Sequence, residues 1–159
     1  MLKLIKFSIL LYMFTTTYAL LVLTPIVYNS KDNGISTTCI NQLNKYNSMA
    51  NDCKNDKCKD VFTESFIEDV RTNCQENDIE KGLFEQIEST YLFNSISNLE
   101  VEGVNCSLYS VNLGQSIESR CKCMKKTIEY LENYIKEHKN SILTNSIDEF
   151  KSEINEACL

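Results

Sequence analysis

The sequence predicts an all-α fold, a disulfide-stapled helical bundle built from two helical hairpins plus a connecting helix. Three observations predict it. After Pro25 there is no further proline, and the 159 residues hold only four glycines, so little in the chain breaks a helix. Apolar residues recur at offsets of three and four over several long segments, the period of a helix with one buried face. Eight cysteines bracket those segments, and an even, enriched count is read as paired where the compartment is oxidising. The length allows one domain with a substantial hydrophobic core.

The N-terminus bears on the compartment. Lys3 and Lys6 precede an apolar run over residues 7–14, and Thr17 and Ala19 stand at −3 and −1 of a cleavage site. Residues 1–19 therefore read as a secretory signal peptide. The chain stays uncharged from residue 7 to residue 28, long enough to span a bilayer as an uncleaved anchor. Both readings leave the two lysines in the cytoplasm and every cysteine outside. The expected localisation is secreted and extracellular, or membrane-anchored with the domain outside. Residues 20–38 are read as a linker with a turn at Asn33-Gly34, and residues 39–159 as a single cysteine-rich helical domain.

The formal charge is −6, and without residues 1–19 it becomes −8, since only Lys3 and Lys6 are lost. A domain so acidic, with no basic cluster, is repelled by nucleic acid and by anionic membranes. No nucleic-acid partner is expected, and membrane contact only through an uncleaved N-terminal segment.

The first helix is expected to start about Thr38 as its N-cap, with Cys39, Leu43, Tyr46, Ala50 and Cys53 on one face. A second repeats the pattern through Cys58, Phe62, Phe66, Val70 and Cys74, with Val61 and Ile67 widening the stripe. The tetrapeptide KNDK separates Cys53 from Cys58. Folding the chain back there sets those two side by side and brings Cys39 to Cys74. Four cysteines allow three connectivities, and spacing alone does not choose among them.

A third helix is expected over residues 79–93, with Ile79, Leu83, Ile87 and Tyr91 on a face that Phe84 broadens, capped by Asn77 or Asp78. Residues 94–114 read as a connecting loop with a short helix or strand. Asn105-Cys106-Ser107 is a formal N-glycosylation sequon. Beyond it, Ile117, Cys121, Met124, Ile128, Leu131, Ile135 and His138 alternate steps of four and three, a heptad seam. Ile147, Phe150, Ile154, Ala157 and Cys158 continue after a break near Lys139-Asn140. These two helices can form a second hairpin with Cys121 or Cys123 meeting Cys158, leaving the other to tether Cys106. On a helix Cys121 and Cys123 point about 200° apart and must serve different partners.

Catalytic and metal chemistry find little purchase. His138 is the sole histidine, and near a helix C-terminus a cation suits the dipole. A Ser-His-Asp or Cys-His enzyme would need it, yet no nucleophile turn occurs. Cys53 with Cys58 and Cys121 with Cys123 have zinc half-site spacing, but an oxidising compartment removes the thiolates. Asp52, Asp56 and Asp60 lack the glycine and terminal glutamate of a calcium loop. The acid pairs Glu64/Glu68 and Glu149/Glu153 lie one turn apart on single helices, unlike glycosidase carboxylates. No enzyme, cofactor or metal is expected.

The stretch CINQLNKYNSMANDC, followed by KCKDVFTESFIEDVRTNC, resembles the cysteine-bracketed helical units of small secreted fungal proteins, especially those of anaerobic gut fungi. Such units carry a cysteine, a leucine, a lysine-tyrosine pair and another cysteine. The resemblance covers under a quarter of the chain and implies secretion with no assigned activity. The elicitins are a looser likeness: secreted, helical, disulfide-bonded and sterol-binding. Their six cysteines stand at other spacings, so their binding residues cannot be placed here.

What remains is recognition. One reading is a secreted binding or interaction protein whose partner is an unknown extracellular protein, with Tyr109, Tyr130 and Tyr134 as candidate contact residues. The alternative is a carrier of a small apolar ligand, lipid or sterol-like, held between helices. The candidate aromatics for either are Tyr46, Phe62, Phe66, Phe84, Tyr91, Phe93, Tyr130, Tyr134 and Phe150.

Overall fold

The computed structural model describes residues 25–28, 34–52, 62–106, 116–139 and 141–158. The described residues form five α-helices, a short 3-10 segment and one two-stranded hairpin, and the fold is all-α. The helices are α1 (Thr37–Asp52), α2 (Glu64–Asn73), α3 (Asp78–Ser97), α4 (Ile117–Glu137) and α5 (Ile147–Ala157), and the strands β1 (Glu100–Val101) and β2 (Val104–Asn105) follow α3. The chain divides into two compact units, Leu21–Asn94 and one within Ser95–Leu159.

In the first unit α1 and α2 pack together as an antiparallel pair, and Cys39 is bonded to Cys74 at its open end. Cys53 and Cys58, with the turn between them, lie outside the described residues. Leu43, Tyr46 and Ala50 of α1 meet Phe66, Ile67 and Val70 of α2 and Leu83, Phe84 and Ile87 of α3 in one buried cluster. The i, i+3, i+4, i+7 spacing places these residues on single helix faces.

Capping sets where each helix starts. The first begins at Thr37, and Ser36 rather than Thr38 is its cap: the Ser36 hydroxyl accepts the Cys39 N–H at 3.3 Å. Thr63 caps α2 by accepting from Phe66 N–H, with Glu64 in the first turn and Arg71 in the last, the arrangement that suits the helix dipole. Asn77 caps α3, accepting from both Ile79 and Glu80 N–H groups at 3.0 Å. Helix α3 runs to Ser97, longer than the expected 79–93, and Ile79 at its start is 55% exposed rather than buried. It sits beside the cap, before the buried face is established.

In the second unit α4 and α5 pack on one another. Cys121 near the start of α4 is bonded to Cys158 at the end of α5, while Cys123 is bonded to Cys106 after β2. One helix thus serves two partners from opposite sides. The hairpin occupies part of the stretch read as loop. Glu100 pairs with Asn105 and Val101 with Val104 around Glu102-Gly103, both at positive φ, the two-residue turn whose twist matches antiparallel strands. Lys122 holds Glu102 from α4 at 3.0 Å, and Leu99 and Val101 pack on the Cys106–Cys123 bond.

The heptad seam is only partly realised. Ile128 and Leu131 are buried, but Ile117 is 68% exposed and Tyr134 replaces Ile135 as the buried residue of its turn. Two disulfides leaving α4 on different sides require contact over more than one stripe, so the burial is wider than a coiled-coil seam. Among the described residues no helix is long and apolar enough to cross a membrane.

Candidate functional site

Among the described residues of the first unit, one polar construction is on α1. Residues 25–28, placed at the end of the uncharged N-terminal stretch by the sequence, lie beside that helix. The Asn47 side chain accepts the Ile26 N–H at 2.7 Å and donates its own amide to the Ile26 carbonyl at 2.9 Å. Both backbone groups of one residue are thereby satisfied by one side-chain amide, a substitute for strand pairing. One turn earlier, Asn44 accepts the Tyr28 hydroxyl at 2.6 Å. The alternation is that of a strand: Ile26 is buried in the core cluster, Val27 is 96% exposed and Tyr28 packs against the cluster again. Asn44 and Asn47 share a helix face, and asparagine is a weak helix former. Two of them there are explained by what they hold.

A second construction closes the start of α1 against the start of α3. Glu80 is fully buried, and its carboxylate accepts the Ser36 N–H at 2.6 Å and the Glu76 N–H at 2.8 Å. Burial pushes its pKa up, but the bonds from Ser36 and Glu76 outweigh that and hold the carboxyl below the ordinary glutamate value. A third is the pair Arg71–Glu88, 3.0 Å apart with both side chains withdrawn from solvent. Arg71 also reaches Glu68 and lies over the Phe84 ring. Sequence reasoning missed all three. The available signals were the two asparagines three residues apart and the Asn77-x-x-Glu80 spacing of a capping box.

In the first unit Tyr46, Phe62, Phe66 and Phe84 are buried in the core cluster, Tyr91 packs against it and Phe93 is half-buried. Phe62 packs on Tyr46 at 5.7 Å, on Tyr91 at 5.9 Å and on Phe66 at 6.0 Å between ring centroids. Burial raises the Tyr46 hydroxyl pKa, and a hydrogen bond with Thr90 opposes the shift. In the second unit Tyr134 is buried, Tyr130 half-buried, and Tyr109 lies outside the described residues. The His138 backbone N–H closes α4 on the Tyr134 carbonyl, and the His138 ring lies tilted against that of Tyr134 with centroids 4.3 Å apart.

The metal and modification candidates fall as follows. Cys121 and Cys123 are each in a disulfide, and every other described cysteine is too, so none of these offers a thiolate. Asp56 and Asp60 lie outside the described residues. Asn105 is exposed on β2, while Cys106 beside it is buried in its bond to Cys123.

No protein family model, curated protein or solved structure matches this chain. The functional reading therefore rests on its own residues.

Proposed function

We propose that this protein is secreted and acts outside the cell by binding a partner, without catalysis. The observation that carries the reading is the occupation of the described cysteines: Cys39 with Cys74, Cys106 with Cys123 and Cys121 with Cys158. Structural disulfides of this density form and persist in oxidising compartments, and the signal pattern over residues 1–19 supplies the route there.

Three polar groups among the described residues serve the fold. Glu80 holds two backbone N–H groups, Glu88 holds Arg71, and His138 ends a helix against Tyr134. An acidic, disulfide-bonded helical scaffold is suited to presenting helix faces to another molecule. The test is expression of the full chain in a eukaryotic secretory host, beside a version without residues 1–19. The full chain is expected in the medium with no thiol that reacts after denaturation, and the shortened chain inside the cell with reactive thiols. Retention of the full chain in the cytosol with free thiols would contradict the reading.

A further inference from the structure

The apolar N-terminal stretch and the folded first unit lay claim to the same four residues. As a membrane span ending at residue 28, the stretch would hold Ile26 in hydrocarbon with its backbone groups bonded along a helix. In the folded unit the Ile26 side chain is in the core, and its N–H and carbonyl are both taken by Asn47. Tyr28 is held by Asn44. One backbone N–H cannot donate to Asn47 while it serves a transmembrane helix, and one side chain cannot be in the core and in lipid. The two states exclude each other.

We propose that residues 25–28 are a maturation-coupled strap: they dock on α1 only once they themselves are free of the membrane, so release of a span that reaches residue 28 completes the first unit. The strap rests on the secretory reading above. Two consequences follow from its geometry. The mature protein retains residues 25–28, so leader cleavage falls upstream of Pro25, as the Ala19 site requires. A chain still held in the bilayer to residue 28 has an incomplete first unit, with the core position of Ile26 unfilled and the Asn47 amide bonded to water.

The connection is built to be made late. The Asn47 side chain bonds the main chain of Ile26, and the strap adds one aliphatic side chain and one phenol to a framework joined by Cys39–Cys74. Helices α1, α2 and α3, with Phe62 and Cys74 flanking α2, supply the rest of the buried cluster. The strap is an increment of stability on that framework.

The experiment compares the secreted full chain with a full-length form whose cleavage is blocked by Thr17→Leu and Ala19→Leu, each with and without Asn47→Leu. Resistance of the first unit to protease is read under native conditions. In the secreted form Asn47→Leu is expected to speed cleavage on the order of tenfold, the effect of losing two backbone-directed hydrogen bonds. In the anchored form it is expected to change little, because the contact is not made there. Equal effects in both forms would overturn the proposal, as would a secreted protein whose N-terminal residue lies beyond Tyr28. Hydrogen exchange on the secreted wild-type protein gives a second readout independent of the variants. The Ile26 amide is expected to be protected, and exchange at the rate of a free peptide would overturn the strap itself. Failure of the chain to reach the secretory pathway would instead contradict the secretory reading, so the two failures are distinguishable.

Discussion

The Glu80 carboxylate accepts the Ser36 backbone N–H at 2.6 Å across 44 residues of sequence. The same group accepts the Glu76 N–H at 2.8 Å. One buried acid thereby joins the start of α1 to the start of α3, and both bonds require it to be ionised or at least to keep two acceptor oxygens.

Acid is expected to loosen this joint. Because the folded carboxyl lies below its unfolded value, its stabilisation is fully present above the unfolded glutamate pKa of about 4.3. It is lost as the pH falls through the lower folded value. Glu80→Gln places an amide NH₂ against one of the two N–H donors and is expected to cost about 1–3 kcal/mol at neutral pH. Urea unfolding of wild type and variant over an acid pH series checks both points. The variant should show the shallower loss on acidification, and identical pH slopes would contradict this role.

The Arg71–Glu88 pair predicts a non-additive response. Glu88→Leu removes the buried partner at 3.0 Å and leaves the Arg71 guanidinium the more exposed carboxylate of Glu68, and its expected cost is about 3 kcal/mol. The double variant Arg71→Met/Glu88→Leu removes both charges and should recover most of that loss. A double-mutant cycle by denaturant unfolding measures the coupling. Additive costs would show that the pair is not energetically coupled.

Phe62 is the junction of the aromatic cluster, touching Tyr46, Phe66 and Tyr91. Truncation to alanine is expected to destabilise the first unit by about 3–5 kcal/mol through lost burial and the cavity left behind. Val27→Ala, at a 96% exposed position on the strap, should change stability within about 0.5 kcal/mol. Thermal unfolding of the two variants side by side separates core from surface.

In the second unit the two disulfides close loops of different length, 37 residues for Cys121–Cys158 and 17 for Cys106–Cys123. Replacing Cys121 and Cys158 together by serine is expected to cost about 2–4 kcal/mol and to raise amide exchange along α5. Replacing Cys106 and Cys123 should spare α5 and expose the hairpin. Exchange rates resolved by residue distinguish these outcomes.

Much of this fold was legible from periodicity because each buried helix face repeats at three and four residues. Leu43, Tyr46 and Ala50, and Phe66 and Val70, are buried where that spacing puts them. Residues with a local reason to deviate were not legible. Ile117 lies in the first turn of α4 and is exposed, while Tyr134 is buried in place of Ile135 because α4 is contacted from more than one side. The hairpin turn was hidden because Glu102, an unusual residue for positive φ, occupies it beside Gly103. The division between the units falls within α3, where no glycine, proline or change of composition marks it. The clamp of Asn47 on Ile26 was illegible for another reason: an asparagine that recognises main chain leaves no side-chain pattern at the position it recognises. Its partner lies in a stretch that reads as linker or as the end of an uncleaved anchor.

The most direct test of a secreted, disulfide-stapled helical protein is a non-reducing peptide map of the full chain recovered from culture medium. The structure predicts linked peptides joining Cys39 to Cys74, Cys106 to Cys123 and Cys121 to Cys158. Free thiols at these six positions, or a map that joins Cys123 to Cys158, would contradict it.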